Sequence, residues 1–201
     1  MPQNDSHRVE TTSWLEVFTR YQDRIAAWTM LIARLDDEIA GAAPAARLAL
    51  RDRRSALRAK RDATVLDLDE RGEAYLRWLD AELASIERSA ADSPAEFQAR
   101  IAGWTIDLRR DWSEAHHALQ GSTERYIRTL DAEIGRMQLE SADGEQAESH
   151  RAEIAALHAH QQATWSQLKA LYEAFRQRCE SFDRSFLFVP GLAPNDRPVL
   201  T

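Results

Sequence analysis

The stretch SWLEVFTRYQDRIAAWTMLIARLDDEI, residues 13 to 39, decides the fold of this chain. Ser13 and Glu16 have the spacing of a capping box, which marks the start of a helix. Large apolar side chains then recur at alternating steps of four and three residues, the spacing of a coiled-coil seam. They are Trp14, Phe18, Tyr21, Ile25, Trp28, Ile32, Leu35 and Ile39. This pattern predicts a long amphipathic helix, whose apolar face other helices must cover.

Breaks between helices are few. Gly41 and Pro44 predict a tight turn, because glycine ends helices and proline is tolerated in a first helical turn. Ser93-Pro94-Ala95-Glu96 reads as a second capping box, and SADGE at 141–145 as a third break. We therefore predict an all-α, elongated antiparallel bundle of about four long helices. Its parts are a flexible N-terminus (1–12), a bundle (13–185) with helices at about 13–40, 44–90, 94–140 and 145–184, and a C-terminal tail (186–201).

An internal repeat supports this arrangement. Residues 73–83, EAYLRWLDAEL, recur as residues 124–134, ERYIRTLDAEI, and residues 35–39, LDDEI, form a partial third copy. Duplication of a whole helix is the simplest interpretation. The Leu-Asp-Ala-Glu segment could be a recognition motif, but its spacing favours a structural role, with the apolar residues in the core and the acids on solvated faces.

The last helix has a predicted seam of its own. Its members are Ile154, Leu157, Trp165, Leu168, Tyr172, Phe175, Cys179 and Phe182. Of the six tryptophans, Trp14, Trp28, Trp104 and Trp165 fall on seam positions, which predicts core packing. Trp78 and Trp112 lie beside the seams, and we expect them at a second interface.

Composition and charge exclude several classes of protein. A net charge of −7 and a pI near 5.4 argue against a general binder of nucleic acid or of anionic membranes. Cys179 is the single cysteine, and the N-terminal residues lack the design of a signal peptide, so we expect the cytoplasm. No apolar stretch approaches the ~20 residues that span a bilayer, so we expect no integral membrane segment.

Signals of catalysis and of metal binding are weak. Glu114 and His117 form one Glu-x-x-His unit, whereas di-metal bundles use two such units and two further glutamates. Phosphate loops, nucleophile elbows and paired-cysteine motifs do not occur, and Cys179 falls on an apolar seam. We expect no metal, no cofactor and no enzymatic activity. A helical-bundle enzyme whose site carries no motif remains an alternative.

A stripe of arginines is the most distinctive charged feature. It consists of Arg47, Arg51, Arg54, Arg58 and Arg61 at steps of four and three residues. As a surface it could hold an acidic partner, nucleic acid or lipid phosphates. The plainer alternative is that these side chains pair with acids on adjacent helices, Asp36 among them.

The last two hypotheses concern the first helix and the C-terminal tail. The first helix is predicted to be about 15 residues shorter than its neighbours, which would leave an apolar gap near Tyr75 and Trp78 and favour a homodimer. The tail has apolar residues just beyond the last helix, which either plug their own bundle or dock on a partner. They are Phe186, Leu187, Phe188, Val189 and Leu192.

Together these patterns predict a non-catalytic helical scaffold or adaptor, which binds a partner protein and self-associates. The alternative is an amphipathic coat protein on a lipid or polymer granule. Interfacial helices normally carry flanking Lys and Arg, which the net charge of −7 disfavours.

Overall fold

Four helices make up nearly all of the structure, a computed structural model. The structure describes residues 3–91, 95–140 and 147–186, with side chains at 14–86, 88, 103, 105–139 and 151–181. The helices are α1 (Gln3–Gly41), α2 (Pro44–Ala91), α3 (Ala95–Glu140) and α4 (Ala147–Phe186). Within these ranges only residues 42 and 43 are not helical, and no strand occurs. The prediction of an all-α bundle of four long helices is confirmed.

The helix boundaries agree with the sequence except at the start of α1. This helix begins at Gln3, well before the predicted start at Ser13, so α1 has 39 residues and α4 has 40. The prediction that the first helix is much shorter than all its neighbours is therefore wrong. Ser13 and Glu16 lie inside a continuous helix, since the segment before them is itself helical.

The turn between α1 and α2 forms where Gly41 and Pro44 predicted it. The Ala42 amide donates to the Ile39 carbonyl at 3.3 Å, and the Arg47 Nε donates to the Ala42 carbonyl at 2.9 Å. Arg47 thus satisfies a carbonyl that the end of α1 leaves open. The other predicted breaks involve residues 92–94 and 141–146, which lie outside the described residues.

The chain divides into two compact units. Unit 1 comprises residues 1–129, hence α1, α2 and most of α3, and unit 2 comprises residues 130–201. Within unit 1, α1 and α2 are antiparallel, because their contacts run in opposite directions along the two helices. Asp36 pairs with Arg54, Tyr21 with Asp67, and Trp14 with Tyr75.

The third helix of unit 1 packs against the other two. The Tyr126 hydroxyl donates to Asp62 of α2, and the Cβ position of Gly72 faces the end of the Leu119 side chain. On α1, the Gln22 amide donates to the Ser122 hydroxyl at 2.7 Å. Polar contacts therefore fix the alignment of α3 with both neighbours.

The apolar seam of α1 lies where the spacing predicted it, since all eight of its members are buried or half-buried. Leu79 and Leu83 of the first repeat copy are also buried, like Leu35 and Ile39 of the partial copy. The expectation that the acids of these copies are all solvated is wrong for Asp36, because it is buried against Arg54.

Unit 2 contains the end of α3 together with α4. Its buried apolar side chains are Leu130, Ile134, Met137, Leu157, Leu168 and Leu171. The Gln161 side chain of α4 donates to Asp131 of α3, and Glu133, another acid of the second repeat copy, is buried rather than solvated. Among the helices described, none is long and apolar enough to cross a membrane.

Candidate interaction surface on α4

Two aromatic side chains of α4 face outward. Trp165 is 53% exposed and Tyr172 is 46% exposed, although the sequence placed both in the core. They lie seven residues apart, which is about two helical turns or ~10.5 Å. The expectation that both lie in the core was therefore wrong. They form an exposed aromatic pair on the surface of unit 2.

Polar residues explain the error. The buried stripe of α4 follows the four-three spacing through Leu157, Gln161, Thr164, Leu168 and Leu171. Gln161 and Thr164 are accommodated there because the Gln161 amide binds Asp131 and the Thr164 hydroxyl donates to the His160 carbonyl at 2.9 Å. Trp165 and Tyr172 each follow a buried residue by one position, and one position rotates a side chain about 100° around the helix.

The aromatic pair borders a shallow groove. The groove is lined by Trp165, Ser166, Leu168, Lys169 and Tyr172, all from α4. We call this surface the aromatic face. Of these residues Leu168 is buried and Lys169 is exposed. Aromatic side chains of this kind are enriched at protein interfaces, where their large area is covered at little entropic cost.

The next turn of α4 carries charges of both signs. Arg176 forms ion pairs with Glu173 at 2.7 Å and with Glu180 at 3.5 Å, and the Gln177 amide donates to Glu173 at 2.9 Å. The hydrogen bond from Arg176 lowers the pKa of Glu173, and the same contact raises the pKa of Arg176. Both groups stay ionised, so the aromatic face adjoins a balanced set of charges.

The arginine stripe of α2 faces the interior over most of its length. Arg54, Arg58 and Arg61 are buried, whereas Arg47 and Arg51 are half-buried. The Arg54 guanidinium lies 3.0 Å from Asp36, and that of Arg61 lies 3.0 Å from Asp62 and over the ring of Tyr126. The three buried arginines are in phase with the buried Val65, Leu68, Leu79 and Leu83 of the same helix.

The structure removes the reason for predicting a dimer contact near Tyr75 and Trp78. Tyr75 is buried under Trp14, with ring centroids 5.1 Å apart, and Trp78 stacks on Tyr75 at 5.8 Å. Trp78 itself is half-buried. Because α1 extends past Trp14 to Gln3, Tyr75 does not lie in an open gap. Self-association remains a prediction that the structure does not test.

Trp112 was expected at an interface and is instead 1% exposed. Its ring lies 4.4 Å from that of His116, which is also buried. Burial lowers the pKa of His116 to about 4, and the nearby His117 contributes in the same direction. These residues form part of the interior of unit 1. Sequence spacing missed them because α3 buries more than one stripe.

A second polar cluster in unit 1 was not predicted. The Tyr21 hydroxyl donates to Asp67, and the Arg71 Nε donates to the same carboxylate at 3.0 Å. Arg24 and Arg71 also lie over the Tyr21 ring at 5.6 and 5.7 Å. The hydrogen bond from Tyr21 lowers the pKa of Asp67 and raises that of Tyr21. This cluster joins α1 to α2 through groups that remain partly exposed.

The other residues that the sequence analysis named lie on α3, on α4 or after the end of α4. Phe186 is the last residue of α4, while Leu187, Phe188, Val189 and Leu192 lie outside the described residues. The same holds for the side chains of Trp104 and Phe182. Glu114 and His117 are exposed. Within the described part of the chain, no group of three or more His, Cys, Asp or Glu side chains could hold a metal ion.

Comparison of the chain with protein-family models, with curated proteins and with solved structures finds no match.

Proposed function

We propose that this protein is a non-catalytic helical scaffold or adaptor and that the aromatic face of α4 binds a partner protein. One observation carries the proposal: Trp165 and Tyr172 are about half exposed, two turns apart, along one groove. Exposed tryptophan and tyrosine at the centre of a patch are the residues that most often dominate the binding energy of interfaces. Self-association and a cytoplasmic location belong to the same proposal.

The interior of unit 2, which carries the aromatic face, supports this proposal. There the polar contact of Gln161 with Asp131 fixes the alignment of α4 with the end of α3. Polar contacts in an interior specify one alignment among the many that apolar side chains alone would tolerate. A surface on such a support loses little entropy when it binds.

The alternative, a coat protein on a lipid or polymer surface, would use the same aromatic side chains. Helices that lie in a membrane interface normally flank their apolar face with Lys and Arg. Here Lys169 is followed by Glu173, Arg176 and Glu180, so the flanking charges are mixed. This balance favours a protein partner, and flotation with anionic and neutral liposomes separates the two functions.

Affinity capture with matched variants tests the proposal. We expect the tagged full chain to retain a defined set of proteins that Trp165→Ala/Tyr172→Ala loses. Leu48→Ala/Leu66→Ala is the control, because it removes two exposed apolar side chains from α2 instead. If both double variants retain the same proteins, the aromatic face is not the binding surface.

Light scattering tests the part of the proposal that concerns self-association. At ~50 µM, where weak self-association is normally visible, we expect the full chain to have a mass above that of a monomer. A strictly monomeric mass would contradict self-association, but it would not affect the proposed binding of a partner protein.

A further inference from the structure

The aromatic face belongs to a stripe of α4 that is complementary to itself. Trp165, Lys169, Tyr172 and Arg176 succeed one another at steps of four, three and four residues. Aromatic rings and cations therefore alternate along the stripe. We propose that two copies of this chain associate through it, with their α4 helices antiparallel and each ring against a cation of the other copy. This inference rests on the self-association in the proposed function, to which it assigns a surface.

All four side chains of this stripe are accessible on one side of α4. Trp165 is 53% exposed and Tyr172 is 46% exposed, and Lys169 and Arg176 are exposed as well. Their spacing keeps them within an arc of about 60° around the helix. This is the spacing of a coiled-coil seam, which a second helix can cover along its length. Since Leu168 faces the interior of unit 2, the stripe is a second seam of α4.

The order of rings and cations favours the antiparallel direction. In a parallel pair in register each residue would meet its own copy, so the cations would face like charges, which is unfavourable. In an antiparallel pair with the two-fold axis between residues 170 and 171, Trp165 meets Arg176 of the second copy and Lys169 meets its Tyr172. The two-fold symmetry repeats both contacts.

The same pattern selects one register. The antiparallel pair with its axis between residues 170 and 171 places all four rings of the two copies against cations. A shift of one helix by seven residues in either direction keeps the seams facing each other. It leaves only two rings against cations, however, either both copies of Trp165 against Lys169 or both copies of Tyr172 against Arg176. The stripe therefore specifies the register as well as the direction.

Contacts of the same kind already join helices within this protein. The Lys60 amine of α2 lies over the Trp28 ring of α1 at 5.7 Å, and the Arg61 guanidinium lies over the Tyr126 ring of α3 at 5.2 Å. A cation is attracted to the negative face of an aromatic ring, more strongly where water is excluded. Between two copies, such contacts would cover the half-exposed rings of α4 and provide each cation with a ring.

Neighbouring acids prepare Arg176 for this contact. Its guanidinium pairs with Glu173 at 2.7 Å and with Glu180 at 3.5 Å, both from its own helix. Such ion pairs use the edge of a guanidinium, whereas stacking on a ring uses its planar face. Arg176 can therefore keep both acids while it packs on Trp165 of the second copy. Because the acids already restrict the side chain, it loses less entropy on binding.

Charge reversal in the full chain tests the surface. Lys169→Glu/Arg176→Glu replaces both cations of the stripe. The matched control, Arg20→Glu/Arg77→Glu, replaces two arginines of unit 1 that are 71% and 70% exposed. Each of them pairs with an acid of its own helix, as Arg176 does. Both variants have the same net charge, so general repulsion between copies is equal in the two.

Sedimentation equilibrium gives the dissociation constant of each protein. We expect Lys169→Glu/Arg176→Glu to raise this constant at least about tenfold above that of the control. A difference below about threefold would overturn the inference and leave self-association through another surface. A wild type that stays monomeric at ~50 µM would overturn both, whereas affinity capture would still test the partner protein.

Distances between spin labels test the direction and the register. In a Cys179→Ala background, a single cysteine carries the label at Ala156 or at Ala170, which are exposed residues of α4 turned more than ~120° from the stripe. The proposed axis separates the two labels at position 156 by about 44 Å along the helices, and those at position 170 by about 2 Å. We therefore expect double electron–electron resonance to give a much longer distance at 156 than at 170. Equal distances, as a parallel pair gives, would overturn the inference.

Discussion

The Arg54 guanidinium of α2 donates to the Asp36 carboxylate of α1 at 3.0 Å, and both side chains are buried. Removing one member leaves the other charge in the interior, which costs about 3 kcal/mol. We therefore expect Arg54→Met and Asp36→Leu each to lower the free energy of unfolding by that order. The double variant should recover most of the loss, because it removes both charges of the pair from the interior.

Urea unfolding of the four proteins gives the coupling energy between the two positions. The control is the exposed pair of Arg20 and Glu16, whose atoms are 3.1 Å apart. We expect its coupling to be below ~0.5 kcal/mol. Equal coupling in the buried and exposed pairs would contradict the role assigned to Arg54.

The contact between Gly72 and Leu119 limits the size of residue 72. An added Cβ would lie 2.5 and 2.6 Å from the two Cδ atoms of Leu119, which is itself buried. We expect Gly72→Ala to lower the free energy of unfolding by about 1 kcal/mol, since overpacking outweighs the gain in helix propensity. Gly135→Ala, with nothing within 4 Å, should instead raise it by up to ~1 kcal/mol. Thermal unfolding midpoints check both variants. If both midpoints shift in the same direction, this account of the α2–α3 contact is contradicted.

Burial of His116 makes unit 1 sensitive to acid. Its folded pKa of about 4 lies below the unfolded value of 6.5, so the unfolded chain takes up a proton first as the pH falls. Stability is therefore intact above pH 6.5 and declines towards pH 4. Between pH 7.5 and pH 5 we expect the wild type to lose about 1–2 kcal/mol more than His116→Gln. His117→Gln, at an exposed position, should lose nearly as much as the wild type in the same urea titrations, because burial is the larger cause of the low pKa of His116. A loss that is the same for all three proteins would assign the acid sensitivity to other groups.

Neighbouring positions on α4 should differ in what they contribute to folding. Leu168 is buried, and its truncation to alanine should cost about 2–5 kcal/mol. Trp165→Ala removes a larger side chain that is half exposed, and we expect a loss below ~1 kcal/mol. Denaturant midpoints of the two variants check this difference. If Trp165→Ala proves as costly as Leu168→Ala, then Trp165 belongs to the core.

The sequence predicted the helices well because their boundaries depend on local residues. Gly41 and Pro44 act within one turn, and the seam of α1 has eight members in one phase. The buried face of α4 was harder to predict because it includes the polar residues Gln161 and Thr164. Gln161 binds Asp131 of another helix, and the Thr164 hydroxyl donates to the His160 carbonyl of its own helix. A pattern that counts only apolar residues then selects Trp165 and Tyr172 instead.

The arginine stripe shows a signal that could have been used. Arg54, Arg58 and Arg61 are in phase with Leu68 and Leu79 along α2, so the spacing itself assigns them to the buried face. The polar side chains of these arginines favoured the surface, whereas their positions in the helical repeat favoured the interior. Phase prevailed because Asp36, Asp62 and Tyr126 provide partners there.

In-cell photo-cross-linking at the aromatic face tests the central claim most directly. A benzophenone amino acid in place of Tyr172 puts the reactive group on that face, and the same amino acid in place of Ala174 is the control. Ala174 is also exposed and lies two residues further along α4, which turns it about 200° away. We predict a discrete adduct with another protein from position 172 and none from position 174. No adduct from position 172, or equal adducts from both positions, would contradict the claim that α4 carries an interaction surface.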